Sequence, residues 1–349
     1  MKTFSSNRIL WLDSLRGIAA LLVAIMHLWE VLRIHFVPET TTSLSKIINL
    51  IICDCLNFGK LGVVIFFMIS GYVIPFSLKN RNLKGFAISR FFRLYPAYWF
   101  SIVLFVIVGG AISSAFVLIA NITMFHKFVG VPDLVGVYWT LQIELSFYIL
   151  CCLLFYKKLL FNEKVISNII YIGLFLALLL SIFRYITEIK LPVALLLGLV
   201  LMFLGMRWRF CAESNNYKML KQNVFVFVVV LIPICFLAYN RNYGFDEAWY
   251  KYLISYTLGI LMFYLFSKYR IQTKLSGFLG NISYSLYLLH PASLTLLATI
   301  TSSYTMSFVQ YISFFFISMF LFSTISYYWI EKPAIKLGGK FQKKHKDIL

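Results

Sequence analysis

The stretch Trp11–Glu30, WLDSLRGIAALLVAIMHLWE, decides how this chain folds. It is long enough to cross a bilayer, which takes about 20 apolar residues. Yet Arg16 and His27 lie within it and Asp13 stands just ahead. An arginine at the bilayer centre costs about 2.5–3.5 kcal/mol on insertion scales, and such residues persist where they face other helices or a polar cavity. Arg16 and His27 are 11 residues apart. That is close to three helical turns, so they share a face about 16 Å apart along the axis. Gly17, Ala20 and Ala24 fall near the same stripe, and small residues let a second helix or a ligand approach the backbone. Arg16 has two readings, snorkelling to the interface or facing the interior. His27 likewise either bonds a neighbouring helix or does chemistry.

Composition extends this reading to the whole chain. Of 349 residues, 61% are hydrophobic and only 13% charged, against about 25% charged in soluble domains. The expected fold is therefore an all-α integral membrane bundle. The net charge of +19 does not point to nucleic acid, because the basic residues fall between apolar runs, as topology signals do. Ten runs are long enough to span, near 10–32, 58–78, 89–110, 137–156, 166–184, 190–206, 222–239, 249–267, 279–301 and 307–330. The semi-polar stretch 111–136 reads as re-entrant or interfacial, and 44–56 as a short surface helix. With the N-terminus inside, 24 of the 32 Lys and Arg residues fall on the cytoplasmic side. The positive-inside rule then places both termini in the cytoplasm. Residues 1–336 form one expected transmembrane domain, and 337–349 a basic, flexible cytoplasmic tail. The run after Ile9 is too long for a signal-peptide core, and no small-residue cleavage site follows it. The six cysteines lie mostly in apolar runs, where cysteine acts as a small hydrophobe, and no cluster suggests a zinc site.

Further polar residues recur inside the spans. In FAISRFFRLYPAYW, Arg90 and Arg93 are three apart on one helix face. They either anchor the cytoplasmic end or bind a phosphate ester bidentately. In VYWTLQIELSFY, Tyr138 and Trp139 belong to an aromatic belt. Glu144 is expected at the depth of His27, where a carboxylate orients an imidazole; the alternative is a bond to a neighbouring helix. In GNISYSLYLLHP, Tyr287 and His290 share a face, either for interior hydrogen bonding or for chemistry. In YYWIEKPA, Glu331 and Lys332 read as an interfacial cap or salt bridge. The chain has no GxxxxGK[ST], HExxH or GxSxG, so nothing suggests ATP hydrolysis, zinc chemistry or a serine hydrolase.

LDSLRGIAALLVAIMH, FFMISGYVI, SRFFRLYP, YWTLQIELSFY, ISYSLYLLHP and WIEKP occur in this order. Together they resemble the acyltransferase type 3 family of membrane proteins over nearly the whole chain. Arg16, ten residues and His27 match the family's Arg-x10-His motif, and Arg90 with Arg93 its Arg-x-x-Arg motif. The resemblance implies a stand-alone bacterial inner-membrane enzyme without the extracellular hydrolase-like domain of some members. It implies transfer of an acyl group, often acetyl, from cytoplasmic acyl-CoA to a sugar hydroxyl of a surface or lipid-linked saccharide such as O-antigen or capsule, with no metal. On that reading His27 is the general base with Glu144 beside it. Arg16, Arg90 and Arg93 meet the CoA phosphates, and Asp13, Trp139, Tyr287 and His290 support the site or the substrate. The rival classes are a secondary transporter, whose buried Arg, His and Glu would serve a proton or anion path, and a non-catalytic partner in glycan export.

Overall fold

A computed structural model describes residues 9–36, 43–79, 82–241 and 247–344, with the backbone alone at Leu44, Lys343 and Lys344. Lys2, Arg8, Arg81 and Lys346, counted above as inside charges, lie outside the described residues. Thirteen α-helices follow one another, and no strand occurs among the described residues. They are α1 (Leu10–His35), α2 (Ser43–Asn49), α3 (Phe58–Val73), α4 (Leu83–Ile107), α5 (Ala115–Ile122), α6 (Trp139–Tyr156), α7 (Glu163–Thr187), α8 (Val193–Ser214), α9 (Lys218–Ala238), α10 (Trp249–Tyr269), α11 (Lys274–Thr301), α12 (Phe308–Ile325) and α13 (Lys332–Lys344). Each of the ten expected spans coincides with one of these helices. Eight helical stretches among the described residues are long and apolar enough to cross a membrane, and α10 and α11 fall outside that set. The protein is thus an all-α, multi-pass membrane bundle.

Two π-helical turns adjoin the α-helices among the described residues. α2 runs into a π-helical turn at Leu50–Cys55 before α3, and α12 passes through a second one at Ser326–Glu331 into α13. α13 therefore continues through the expected tail boundary at 336/337 as helix, and Phe341 stacks on Phe92 of α4 at 5.7 Å. Residues 345–349 of that tail lie outside the described residues.

The bundle is organised around α1 and α11. Ser14 bonds Ser276 at 2.7 Å and His27 bonds His290 at 3.0 Å. Both numbers rise together, so the two helices run parallel. Their backbones come close because glycine allows it. A Cβ on Gly17 would stand 2.6 Å from the Leu279 side chain, and one on Gly280 would overlap the Asp13 carbonyl. On the other flank, α3 packs against α1, with Gly62 facing the Ala19 carbonyl, and against α8, with Gly71 facing the Met202 carbonyl. In a bilayer, where apolar surface gains nothing by leaving lipid, this close approach is a main source of helix association.

The stretch 109–135 is not a span. The C-terminal end of α5 is tied to α4 by Tyr95 to the Thr123 carbonyl at 2.9 Å, Tyr98 to the Asn121 carbonyl at 2.6 Å and Trp99 to the Ile122 carbonyl at 3.0 Å. The end of the stretch is clamped onto α6. Buried His126 bonds Asp133 at 2.7 Å, Lys127 pairs with the same carboxylate at 2.6 Å, and the Lys127 N–H donates to Gln142 at 3.1 Å. The chain then enters α6 inside the bundle. Tyr138 is fully buried, its ring 4.7 Å from that of Tyr98 and its hydroxyl 2.8 Å from Ser101.

Candidate active site

Arg16 from α1, Arg90 and Arg93 from α4, Glu144 and Tyr148 from α6, and Tyr284 from α11 line one cavity of about 110 Å³. An engineered apolar cavity of about 150 Å³ holds a benzene, so this space is of the size of a small chemical group. The arginines of the two sequence motifs thus converge on one place, although they belong to different helices.

The three guanidiniums are not equivalent. Arg16 pairs with Asp13 one turn earlier at 3.3 Å. Arg93 pairs with Glu331 at 2.7 Å, a carboxylate only 1% exposed that also accepts from Ser285 at 2.8 Å. Arg90 makes no direct ion pair among the described residues. It reaches Ser77 at 3.4 Å and lies over the rings of Phe86 and Tyr148, with a buried Nε that has no partner. A guanidinium held by aromatic faces and lacking an anion is suited to taking one from outside. The salt-bridge reading of Glu331 therefore holds, but the pair is buried in the wall of the cavity rather than placed at an open interface.

Glu144 requires a correction. It was expected at the depth of His27 as the partner of its imidazole. Instead it accepts from Tyr148 at 2.5 Å and shares the cavity with the arginines. The level of α6 explains the difference. Thr140, one turn before Glu144, meets Tyr287 at 2.9 Å, so Glu144 lies near Tyr284. His27 lies level with His290, six residues further along α11. At 1.5 Å per residue the separation is roughly 9 Å along the axis. Counting from an assumed rim at 137 misplaced Glu144, because α6 starts within the bundle. Trp139, expected in an aromatic belt, is half-buried against the main core.

His27 has a different partner. His27 Nδ1 and His290 Nε2 are 3.0 Å apart, and His290 Nδ1 is 3.3 Å from the Leu286 carbonyl. A carbonyl only accepts, so His290 Nδ1 carries the proton. Neutral His290 Nε2 is then an acceptor, and His27 Nδ1 must donate to it. This leaves the lone pair of neutral His27 on Nε2. Pro291 has no N–H, which leaves the Tyr287 carbonyl without its helical donor just beside His290. His290 is fully buried while His27 is half-buried, so the histidine with the available lone pair is the more accessible one. The Thr140 and Tyr287 hydroxyls both lie on the Val137 carbonyl, at 3.0 and 3.1 Å. Among the described residues no group of three His, Cys, Asp or Glu side chains gathers as a metal site.

The fold is thus a membrane bundle with a histidine pair held between two parallel helices beside an arginine-lined cavity. Residues 9–328 match a family described as an acyltransferase domain, and the chain belongs to that family, as its motifs imply. It is 34% identical over 172 residues to the peptidoglycan O-acetyltransferase OatA of Listeria monocytogenes, covering 40% of this chain and 27% of that protein. It is 28% identical, over an alignment of 383 positions, to a Staphylococcus aureus (strain COL) protein provisionally named an O-acetyltransferase, covering 94% of this chain and 58% of that one. The chain thus spans only part of the length of the curated relatives it matches. No solved structure matches it.

Proposed function

We propose that this protein is a membrane O-acyltransferase that moves a short acyl group, acetyl first among candidates, from acyl-CoA to a sugar hydroxyl of a surface or lipid-linked polysaccharide. In this reading it lies in a bacterial inner membrane with both termini in the cytoplasm. The arginine cavity faces the cytoplasm, where the thioester is supplied, and His27 lies toward the outer side, where the acceptor arrives. The bias of Lys and Arg between the spans supports that orientation.

The observation that carries the proposal is the 3.0 Å contact of His27 Nδ1 with His290 Nε2. With Nδ1 committed to His290, Nε2 is left to accept a proton. The acceptor hydroxyl gives its proton to His27 Nε2 as its oxygen attacks the thioester carbonyl. The new C–O bond forms, the C–S bond breaks, and the departing CoA sulfur takes the proton from the imidazolium. His290 acts as a positioning residue that holds the tautomer and supports the charged ring, as the third member of a hydrolase triad does. Arg90 supplies the uncommitted cation for the CoA phosphates, while Arg16 and Arg93 shape the cavity with their carboxylate partners.

General-base catalysis of this kind contributes about 10²–10⁴-fold. Purified His27→Ala protein should therefore bind CoA thioester normally and transfer acyl to a saccharide acceptor at least about 100-fold more slowly than wild type. Transfer within a few-fold of wild type would refute the assignment. Wild-type protein that turns over no acyl-CoA with any saccharide acceptor would refute the function itself.

A further inference from the structure

The histidine pair stands beside the arginine cavity and outside its lining. Neither His27 nor His290 lines the cavity; its boundary on that side is made by Phe66, Thr140 and Tyr287. The Tyr287 ring meets Phe66 edge-on at 5.4 Å and lies 6.1 Å from the His290 ring on its other side. The order along the bundle is therefore arginine cavity, Phe66 with Tyr287, then the level pair of His290 and His27. If the chemistry proposed above is right, a thioester entering from the arginine side has to pass this aromatic pair to reach His27.

The two rings differ in freedom. Tyr287 is 6% exposed and its hydroxyl is held at both Thr140 and the Val137 carbonyl. Swinging it out would strip a buried hydroxyl of both partners, which is expensive in a low-dielectric interior. Phe66 has no polar tie. It packs at the seam between the two hydrophobic clusters of the bundle, one turn beyond Gly62, where α3 and α1 are in close contact. A phenyl ring at a seam can turn by exchanging one set of apolar contacts for another.

We infer that Phe66 is a gate, hinged against a fixed Tyr287, that admits the thioester end of acyl-CoA to His27 and limits the acyl group to a short chain. This inference rests on the acyltransferase reading and adds to it the residue that sets chain length and keeps water from the thioester. Rotation of one phenyl ring opens a space of about its own size, beside a cavity of about 110 Å³. An acetyl group fits such an opening; each further methylene has to displace packed side chains. A single methylene in a tight pocket is typically discriminated by roughly 10- to 200-fold.

The test uses the full chain purified in lipid nanodiscs, with acetyl-CoA and butyryl-CoA as donors and a soluble saccharide acceptor. Two rates are measured for each donor. One is transfer to the saccharide. The other is hydrolysis without acceptor, in which water attacks the thioester carbonyl, the C–S bond breaks and free CoA thiol and carboxylic acid form. In Phe66→Ala the butyryl-to-acetyl ratio of transfer rates should rise at least about tenfold and acceptor-independent hydrolysis of acetyl-CoA should increase. Phe66→Leu, which keeps bulk at the seam, should change both by less and guards against a folding defect in the alanine variant. A wild-type protein that transfers acetyl while both Phe66 variants keep its chain-length ratio and its hydrolysis rate would overturn the gate and leave the function standing. A wild-type protein that turns over neither donor would overturn the function on which the gate depends.

Discussion

Arg90 and Arg93 belong to one motif and one helix face, yet their surroundings assign them opposite consequences on removal. Arg93→Ala strands Glu331, a carboxylate 1% exposed, with only the Ser285 hydroxyl left to it. Breaking a buried pair by removing one partner typically costs about 3–5 kcal/mol. The Arg93 side chain is 30% exposed, which screens part of the interaction and points to the lower end, about 3 kcal/mol. Arg90→Ala breaks no ion pair; it removes a cation from the cavity wall and one 3.4 Å contact to Ser77. Its effect should fall on ligand binding, where a charge-assisted hydrogen bond is worth about 1.5–3 kcal/mol, or roughly a 10- to 150-fold loss of affinity for a CoA thioester. The assay is thermal unfolding in detergent alongside CoA-thioester titration of the same preparations. Arg93→Ala should unfold at distinctly lower temperature, and Arg93→Ala/Glu331→Ala should recover part of the loss, since the buried charge is gone. Arg90→Ala should unfold close to wild type and bind thioester weakly. Equal destabilisation by the two single variants, or no recovery in the double variant, would refute the distinction.

Two further outcomes follow from the placement of Glu144 and from the orientation. Glu144→Gln should lower acyl transfer without strong coupling to His27, because roughly 9 Å of helix axis separates them; a double-mutant cycle showing the marked non-additivity of a single catalytic unit would restore the pairing that the geometry denies. Reporter fusions after Lys158, Arg209 and Lys274 should read cytoplasmic and one after Arg241 external, and a periplasmic signal at Arg209 would break the orientation.

The apolar runs and their basic boundaries were readable because span length and charge bias are local properties of the chain. The shared stripe of Arg16 and His27 was readable for the same reason: helical spacing fixes it within one element. The partners were not readable. His290 is separated from His27 by 263 residues, and only the packing of two parallel helices makes it, rather than Glu144, the group that orients His27. The depth of Glu144 depends on where α6 begins, and that is set by the Tyr98–Tyr138 contact and the His126–Asp133–Lys127 clamp, none of which spacing reveals. The same holds for Arg93, whose buried partner arrives from the π-helical turn at the other end of the chain. A semi-polar stretch carrying histidine, lysine and aspartate between two apolar runs was the available sign that 111–136 does more than connect.

The parallel contact of α1 with α11 has a consequence for how the protein is made. α1, bearing Arg16 and His27, is made well before its principal packing partner, which is synthesised about 260 residues later. At roughly 5–20 residues per second that interval is on the order of 15–50 seconds. For that time the first helix sits in the membrane with its polar stripe uncovered, or is held by neighbouring early helices and the insertion machinery. The His27–His290 contact forms only once α11 has joined α1, so the polar stripe of α1 is completed long after α1 itself is made.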